Sequence, residues 1–249
     1  MGLNNLAHTP KQEVLHMATL TELTAAIMDI SKNKYIQTAS SIALASRINE
    51  AVDTISAGVR MPDGIISPPL ADLYSSAAVA TTVNAYASLP ATYQRNVFFI
   101  SDKNGDELFA PSGGDYYSFM LFLKAIREKD LTETGAITNV CIKGSSLYYQ
   151  GIPSVSENVT VMFYRRPVDM VLNADTPDGI PAQFQTRLIK HYVGRQLANE
   201  MVDGLPDMVA YHANEFYSAM QDLITFIGID AKPTYYKSSN NFVDMGVCD

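Results

Sequence analysis

Met162-Phe-Tyr-Arg-Arg-Pro-Val-Asp169 reads as the end of a strand, and Asp207-Met-Val-Ala-Tyr-His-Ala-Asn-Glu-Phe-Tyr-Ser-Ala-Met-Gln-Asp-Leu-Ile-Thr-Phe-Ile227 reads as a long helix. Between them lie a turn-rich linker, Asn173-Ala-Asp-Thr-Pro-Asp-Gly-Ile-Pro181, and another amphipathic pattern over 182–202. Val209, Ala213, Phe216, Met220, Leu223 and Ile227 recur at spacings of four and three. Such a stripe predicts a helix that must dock on something. The whole stretch carries no nucleophile motif, metal cluster or phosphate loop, which points to assembly rather than catalysis.

Working outward, Thr19-Leu-Thr-Glu22 fits a capping box, in which a threonine oxygen and a glutamate carboxylate satisfy orphan backbone donors. Leu20, Leu23, Ile27 and Ile30 follow at helical spacing up to Asn33. A second helix is predicted over 38–57, with Leu44, Ile48, Val52 (or Ala51), Ile55 and Val59 on one face and Gly58 as the stop. Prolines 62, 68 and 69 make 61–69 a surface loop. From Leu73 to Leu147 the pattern is mixed. Asn104-Gly105 predicts a hairpin between Val97–Ile100 and Glu107–Ala110, and 116–129 reads as a helix with Phe119, Phe122 (or Leu123) and Ile126 aligned. Strands are predicted over 136–143, 146–152 and 158–166, with Val159, Val161 and Phe163 on one face and Met162 and Tyr164 on the other. Helices, then sheet, then helices give an α+β class. The sequence predicts a flexible arm over 1–18, a helical bundle from 19–60 and 182–228, an inserted, mainly antiparallel β-rich region with one helix over 61–181, and an extended tail over 229–249.

Composition sets the outer bounds. At 249 residues, 47% apolar and 18% charged, the chain can bury a sizeable core and does not read as disordered. No apolar run approaches the ~20 residues of a membrane span, and the opening residues lack a signal-peptide pattern. Leu6 stands where a myristoylation signal wants Ser or Thr. Two cysteines, Cys141 and Cys248, are too few for a disulfide framework, so reduced thiols in a cytosolic setting are expected. A net charge of -8 disfavours sequence-specific nucleic-acid binding. It leaves room for passing DNA, which an acidic wall repels and keeps moving.

Candidate sites are few. His8, His16, His191 and His212 show no metal-ligand spacing. His191 and His212 lie on neighbouring helices; surface or interface histidines explain them better than catalysis. Asp102, Asn104 and Asp106 begin like a calcium loop, but Glu107 and Gly113 occupy positions that need glycine and glutamate, so a solvated hairpin tip is the better reading. The serines of Gly144-Ser-Ser and Pro111-Ser-Gly-Gly-Asp115 are turn residues. No catalytic, cofactor or metal residue is assigned. Arg165 and Arg166 could pair with an acidic partner or with phosphate, against the blander reading of solvated strand-end charges. In the tail, Tyr235, Tyr236, Phe242, Val243 and Met245 are too apolar for a wholly solvated segment. Partner binding and packing within the chain both explain them.

The order of parts resembles the head-to-tail adaptor proteins of short-tailed bacteriophages, the tail tubular protein A type, also called head completion or gatekeeper proteins. The residues that carry the resemblance are Arg47-Ile-Asn-Glu-Ala-Val52, Leu89-Pro-Ala-Thr-Tyr-Gln-Arg95, the turn from Gly144 to Pro153 with the Phe163-Tyr-Arg strand, and the helical end Phe184 to Ile227. The similarity covers most of 19–228. It implies a non-enzymatic virion protein at the head–tail junction, assembled in the host cytoplasm as a homo-oligomeric ring, usually a dodecamer. Its helices would meet the portal protein, its β part the tail nozzle protein, and double-stranded DNA would pass through the lumen without sequence-specific binding. Membrane contact and cofactors are not implied. The alternatives are another tail connector or nozzle subunit, or a small soluble enzyme using His191 and His212.

Overall fold

A computed structural model describes residues 16–30, 41–110, 116–126, 132–200 and 206–228. The first helix, α1 (Leu20–Ile30), opens with the capping box its sequence predicts. The Thr19 backbone N–H donates to the Glu22 carboxylate at 2.8 Å, and the Glu22 N–H donates to the Thr19 hydroxyl at 3.3 Å. α1 buries Leu20, Leu23 and Ile27, and α2 (Ser41–Ala57) buries Leu44, Ile48, Ala51, Val52 and Ile55. Gly58 ends α2 at φ +105°, a conformation open to glycine and costly for other residues.

The β region contains β1 (Tyr74–Ala80), β2 (Tyr86–Ser88), β3 (Tyr93–Ser101), the short helix α3 (Phe119–Ala125), β4 (Asn139–Lys143), β5 (Ser146–Gln150) and β6 (Asn158–Arg165). Two antiparallel three-stranded sheets result, in the orders β1-β6-β3 and β2-β5-β4. In the first, Val79 faces Val159, Ala77 faces Val161 and Ile100 faces Val161, so Val159, Val161 and Phe163 make one side of β6 apolar up to its last residue, Arg165. That side packs with Leu147, Val140, Ile142 and Tyr149 of the second sheet in a single core. The Asn104-Gly105 turn forms as predicted, and its return limb joins the sheets: the Leu108 N–H donates to Ile100 O at 2.8 Å, and the Val140 N–H donates to Phe109 O at 3.1 Å. Phe122 and Ile126 cover Cys141 on the outer side of β4.

Three features depart from the sequence expectation. β1 and β2 form within the stretch read only as mixed, and β6 leaves its sequence neighbours β4 and β5 for the other sheet. Ser75, Ser76, Ala77 and Ala78 offer no alternation of large apolar residues, so β1 exists because it fits the register of β6. The predicted strand ends at 136–138, 151–152 and 166 are not strand either.

The chain returns through residues 166–181 to α4 (Ala182–Asn199) and α5 (Pro206–Ile227). α4 touches α1, α2 and α5, and all four helices share one apolar core. Phe216, Met220 and Leu223 of the predicted stripe are buried, whereas Val209, Ala213 and Ile227 are half-buried. The stripe is therefore core, docked on α4. Of the arm expected over 1–18, residues 1–15 lie outside the described residues; at its inner end Ala18 is buried, and its N–H donates to the Gln185 side chain at 2.8 Å. The chain is an α+β fold in which helices from both ends flank an inserted antiparallel region.

Candidate functional site

The sequence-predicted cations stand where β6 runs into the linker. The Arg165 guanidinium donates two hydrogen bonds to Asp178, at 2.6 and 3.1 Å, and a third to Arg166 O at 3.0 Å. Asp178 also accepts the Val168 N–H at 2.8 Å. Burial pushes the Asp178 carboxyl up, but Arg165 and the Val168 N–H outweigh it and hold it below its ordinary value. Arg165 is thus engaged inside the subunit in a bidentate pair. Arg166 is exposed, and its N–H donates to Thr92 O at 2.8 Å.

Further contacts pin the same linker. Asn49 of α2 accepts the Met170 N–H and donates to Met170 O, both at 3.0 Å, as a neighbouring strand would. Asp175 accepts the N–H groups of Val171 and Leu172 at 2.8 and 2.7 Å, which lower its pKa. Gln185, fully buried, donates to Ile180 O at 2.8 Å while its oxygen holds Ala18. With the backbone fixed from below, Val168, Val171 and Leu172 are held outward, 68%, 79% and 67% exposed. Beside them a concavity of about 590 Å³ is lined by Met17, Asp72, Asp169, Thr176 and Gly179 among others. An exposed apolar cluster on a fixed backbone is a candidate contact surface.

His191 and His212 do meet. Their Nδ1 atoms lie 3.0 Å apart between α4 and α5, with the residues 5% and 2% exposed. One ring donates and the other accepts, so the pair contains at least one neutral imidazole facing a ring nitrogen. Burial first, then the proximity of His212, Lys190 and Arg187 against the opposing pull of Glu215, pushes His191 down to about 4. Burial and Lys190 lower His212 as well. Gly194 makes the room: a Cβ there would lie 2.8–3.0 Å from the His212 ring. The pair is buried between α4 and α5 inside the subunit.

The chain matches no family model and no curated protein.

At the hairpin tip Asp102 accepts the N–H groups of Asn104 and Asp106 at 2.8 and 2.9 Å, the use a solvated turn makes of it. Among the described residues no group of three or more metal-ligating side chains comes together, and no helix is long and apolar enough to cross a membrane. Tyr235, Tyr236, Phe242, Val243 and Met245 lie outside the described residues. Sequence patterns give no sign of Asn49, Asp178 or Gln185, because the partners of Asn49 and Gln185 lie 121 and 167 residues away. The 21-residue separation of the histidines does fit a helical hairpin folded about its connection.

Proposed function

We propose that the chain is a subunit of a portal-to-tail adaptor in a short-tailed bacteriophage, a ring around the DNA channel on which the tail nozzle is built. The observation that carries this reading is the order of parts: α1 and α2 from one chain end and α4 and α5 from the other make one bundle, with the two sheets inserted between them. That order of parts is what carries the sequence resemblance. In a closed ring the contacts are head-to-tail, with different patches meeting on successive copies. An acidic net charge of -8 suits a conduit that must not hold the DNA phosphates.

The test is a native mass measurement of the full chain, alone and with purified portal particles, followed by electron microscopy of the mixture. Ring-shaped density on the portal supports the adaptor. A chain that stays monomeric and leaves portal particles bare refutes it. Binding to nozzle particles and not to portals assigns the chain to the far end of the tail instead.

A further inference from the structure

We propose that the concave face built by residues 167–179 is the seat of this chain's own segment Lys232-Pro-Thr-Tyr-Tyr-Lys237, docked in the same subunit. The inference is independent of the adaptor reading and stands on three observations: the chemistry of the seat, the place where the described chain ends, and the charge of the segment.

The seat combines apolar exposure with unbalanced acid. Val168 and Met17 line it, and Val171 and Leu172 stand exposed on the same linker. Asp72, Asp169, Asp175 and Asp178 line it as well, and among the described residues no lysine or arginine does. Arg165 neutralises Asp178, and Asp175 is engaged by backbone N–H groups but keeps its charge. Asp72 and Asp169 are exposed. A ligand that fits must be apolar in the middle and cationic at its flanks.

The chain leaves the bundle beside this seat. α5 runs antiparallel to α4, and Phe226 of its last turn meets Phe184 of the first turn of α4, ring centroids 5.4 Å apart. Gly228, at φ +68°, ends the helix, its N–H donating to Ile224 O at 3.1 Å. Gly179, a wall of the seat, lies three residues before α4 begins at Ala182. Extended chain covers roughly 3.3 Å per residue, so the four residues from Gly228 to Lys232 span up to about 13 Å from this end of the bundle.

Its sequence is what the seat asks for. Two tyrosines stand between Lys232 and Lys237, and Pro233 favours an extended backbone. In an extended segment Tyr235 shares a side with Lys237, and Tyr236 with Lys232, so either face offers one aromatic and one cation. The other segment that leaves from this region, residues 1–15, ends beside Met17. It pairs Lys11 with Glu13 and has no aromatic residue, so it lacks the charge match.

The experiment uses the full chain with Val168→Cys, Thr234→Cys and Cys248→Ser; the native Cys141 is buried. Mild oxidation, non-reducing electrophoresis and peptide mass mapping report which disulfide forms and how fast. The expected result is an intrachain 168–234 bond at monomer mobility. Its rate should fall about tenfold in Asp72→Lys/Asp169→Lys, fall alike in Lys232→Glu/Lys237→Glu, and recover when both reversals are combined. A rate indifferent to the reversals means a tail that only wanders past, and it overturns the proposal. So does a 168–234 bond found only between two chains, which gives the seat to a second copy. Faster trapping of the Val168→Cys, Thr9→Cys pair also overturns it, giving the seat to the N-terminal segment.

Discussion

Removing the imidazole of His191 should flatten the pH dependence of stability. An ordinary histidine titrates near 6.5, and burial, His212 and Lys190 push His191 down to about 4 in the folded chain. Its folded-state pKa is depressed, and the proton is a charge the folded site resists. The unfolded chain therefore takes up the proton first as pH falls. Stability is complete above about pH 6.5, is lost as pH falls through the window between 6.5 and 4, and levels off below it. Evaluated at pH 5, the two values give about 2 kcal/mol of stability lost relative to pH 8, from this one ring. His212 is lowered in the same direction and adds to the loss.

The perturbation is His191→Gln, which keeps a polar side chain against His212 but does not titrate. Urea unfolding at pH 8 and pH 5 supplies the four free energies. Carboxylates that also depress stability in acid, such as Glu22 with its pKa lowered to about 2, are common to both proteins and cancel in the comparison. The parent should lose about 2 kcal/mol more between the two pH values than the variant does. Equal losses in parent and variant would show that the buried pair does not resist protonation, and the reasoning from its burial would fail.

Gly194→Ala should destabilise by about 1–3 kcal/mol in thermal or urea unfolding, although the same change in an open helix gains about 1 kcal/mol, because the new Cβ meets the His212 ring at 2.8–3.0 Å. Asp178→Ala strips Arg165 of its bidentate partner and Val168 of its acceptor, so about 2 kcal/mol should be lost, with faster amide hydrogen exchange at Val168 as the local sign. Arg95→Met should be neutral or stabilising in urea unfolding, since the Arg95 Nε and Nη2 atoms are buried without a hydrogen-bond partner and burial already depresses the guanidinium; a loss above about 1 kcal/mol would contradict this.

What could be read from the sequence follows the range of the interactions. α1, α2 and α5 announce themselves because their apolar spacing and caps are local: Thr19 and Glu22 are three residues apart and bond as predicted. The Asn104-Gly105 turn is equally local, with Gly105 at φ +92°. β1 is invisible for the opposite reason. Its Ser and Ala residues carry no period of their own, and only the Val79–Val159 and Ala77–Val161 pairings select its strand conformation. The partition of strands between two sheets is a decision of the same long-range kind. At the linker, the sequence singles out Arg165 for its charge but cannot show that Asp178 takes it up. The histidine contact needs the register of α4 against α5 across residues 200–206, which the apolar stripe alone does not set.

The two apolar cores of this chain meet through Tyr164 of β6, which packs on the bundle core, and through a polar joint. Leu188, Ile189 and Phe216 belong to one core and Val159, Val161 and Phe163 to the other. Between them the linker is held by Arg165–Asp178, Asn49–Met170 and the Gln185 side chain, which also fastens Ala18. Apolar contacts are non-directional and tolerate sliding, whereas paired hydrogen bonds on buried or half-buried groups fix distance and angle together. A joint of this kind sets one orientation of the β region on the bundle, and the same bonds hold Val168, Val171 and Leu172 out of either core. The exposed face is thus a consequence of how the joint is made. Whatever docks there reads a surface whose shape depends on the two cores being correctly set, so the face is complete only on a folded subunit.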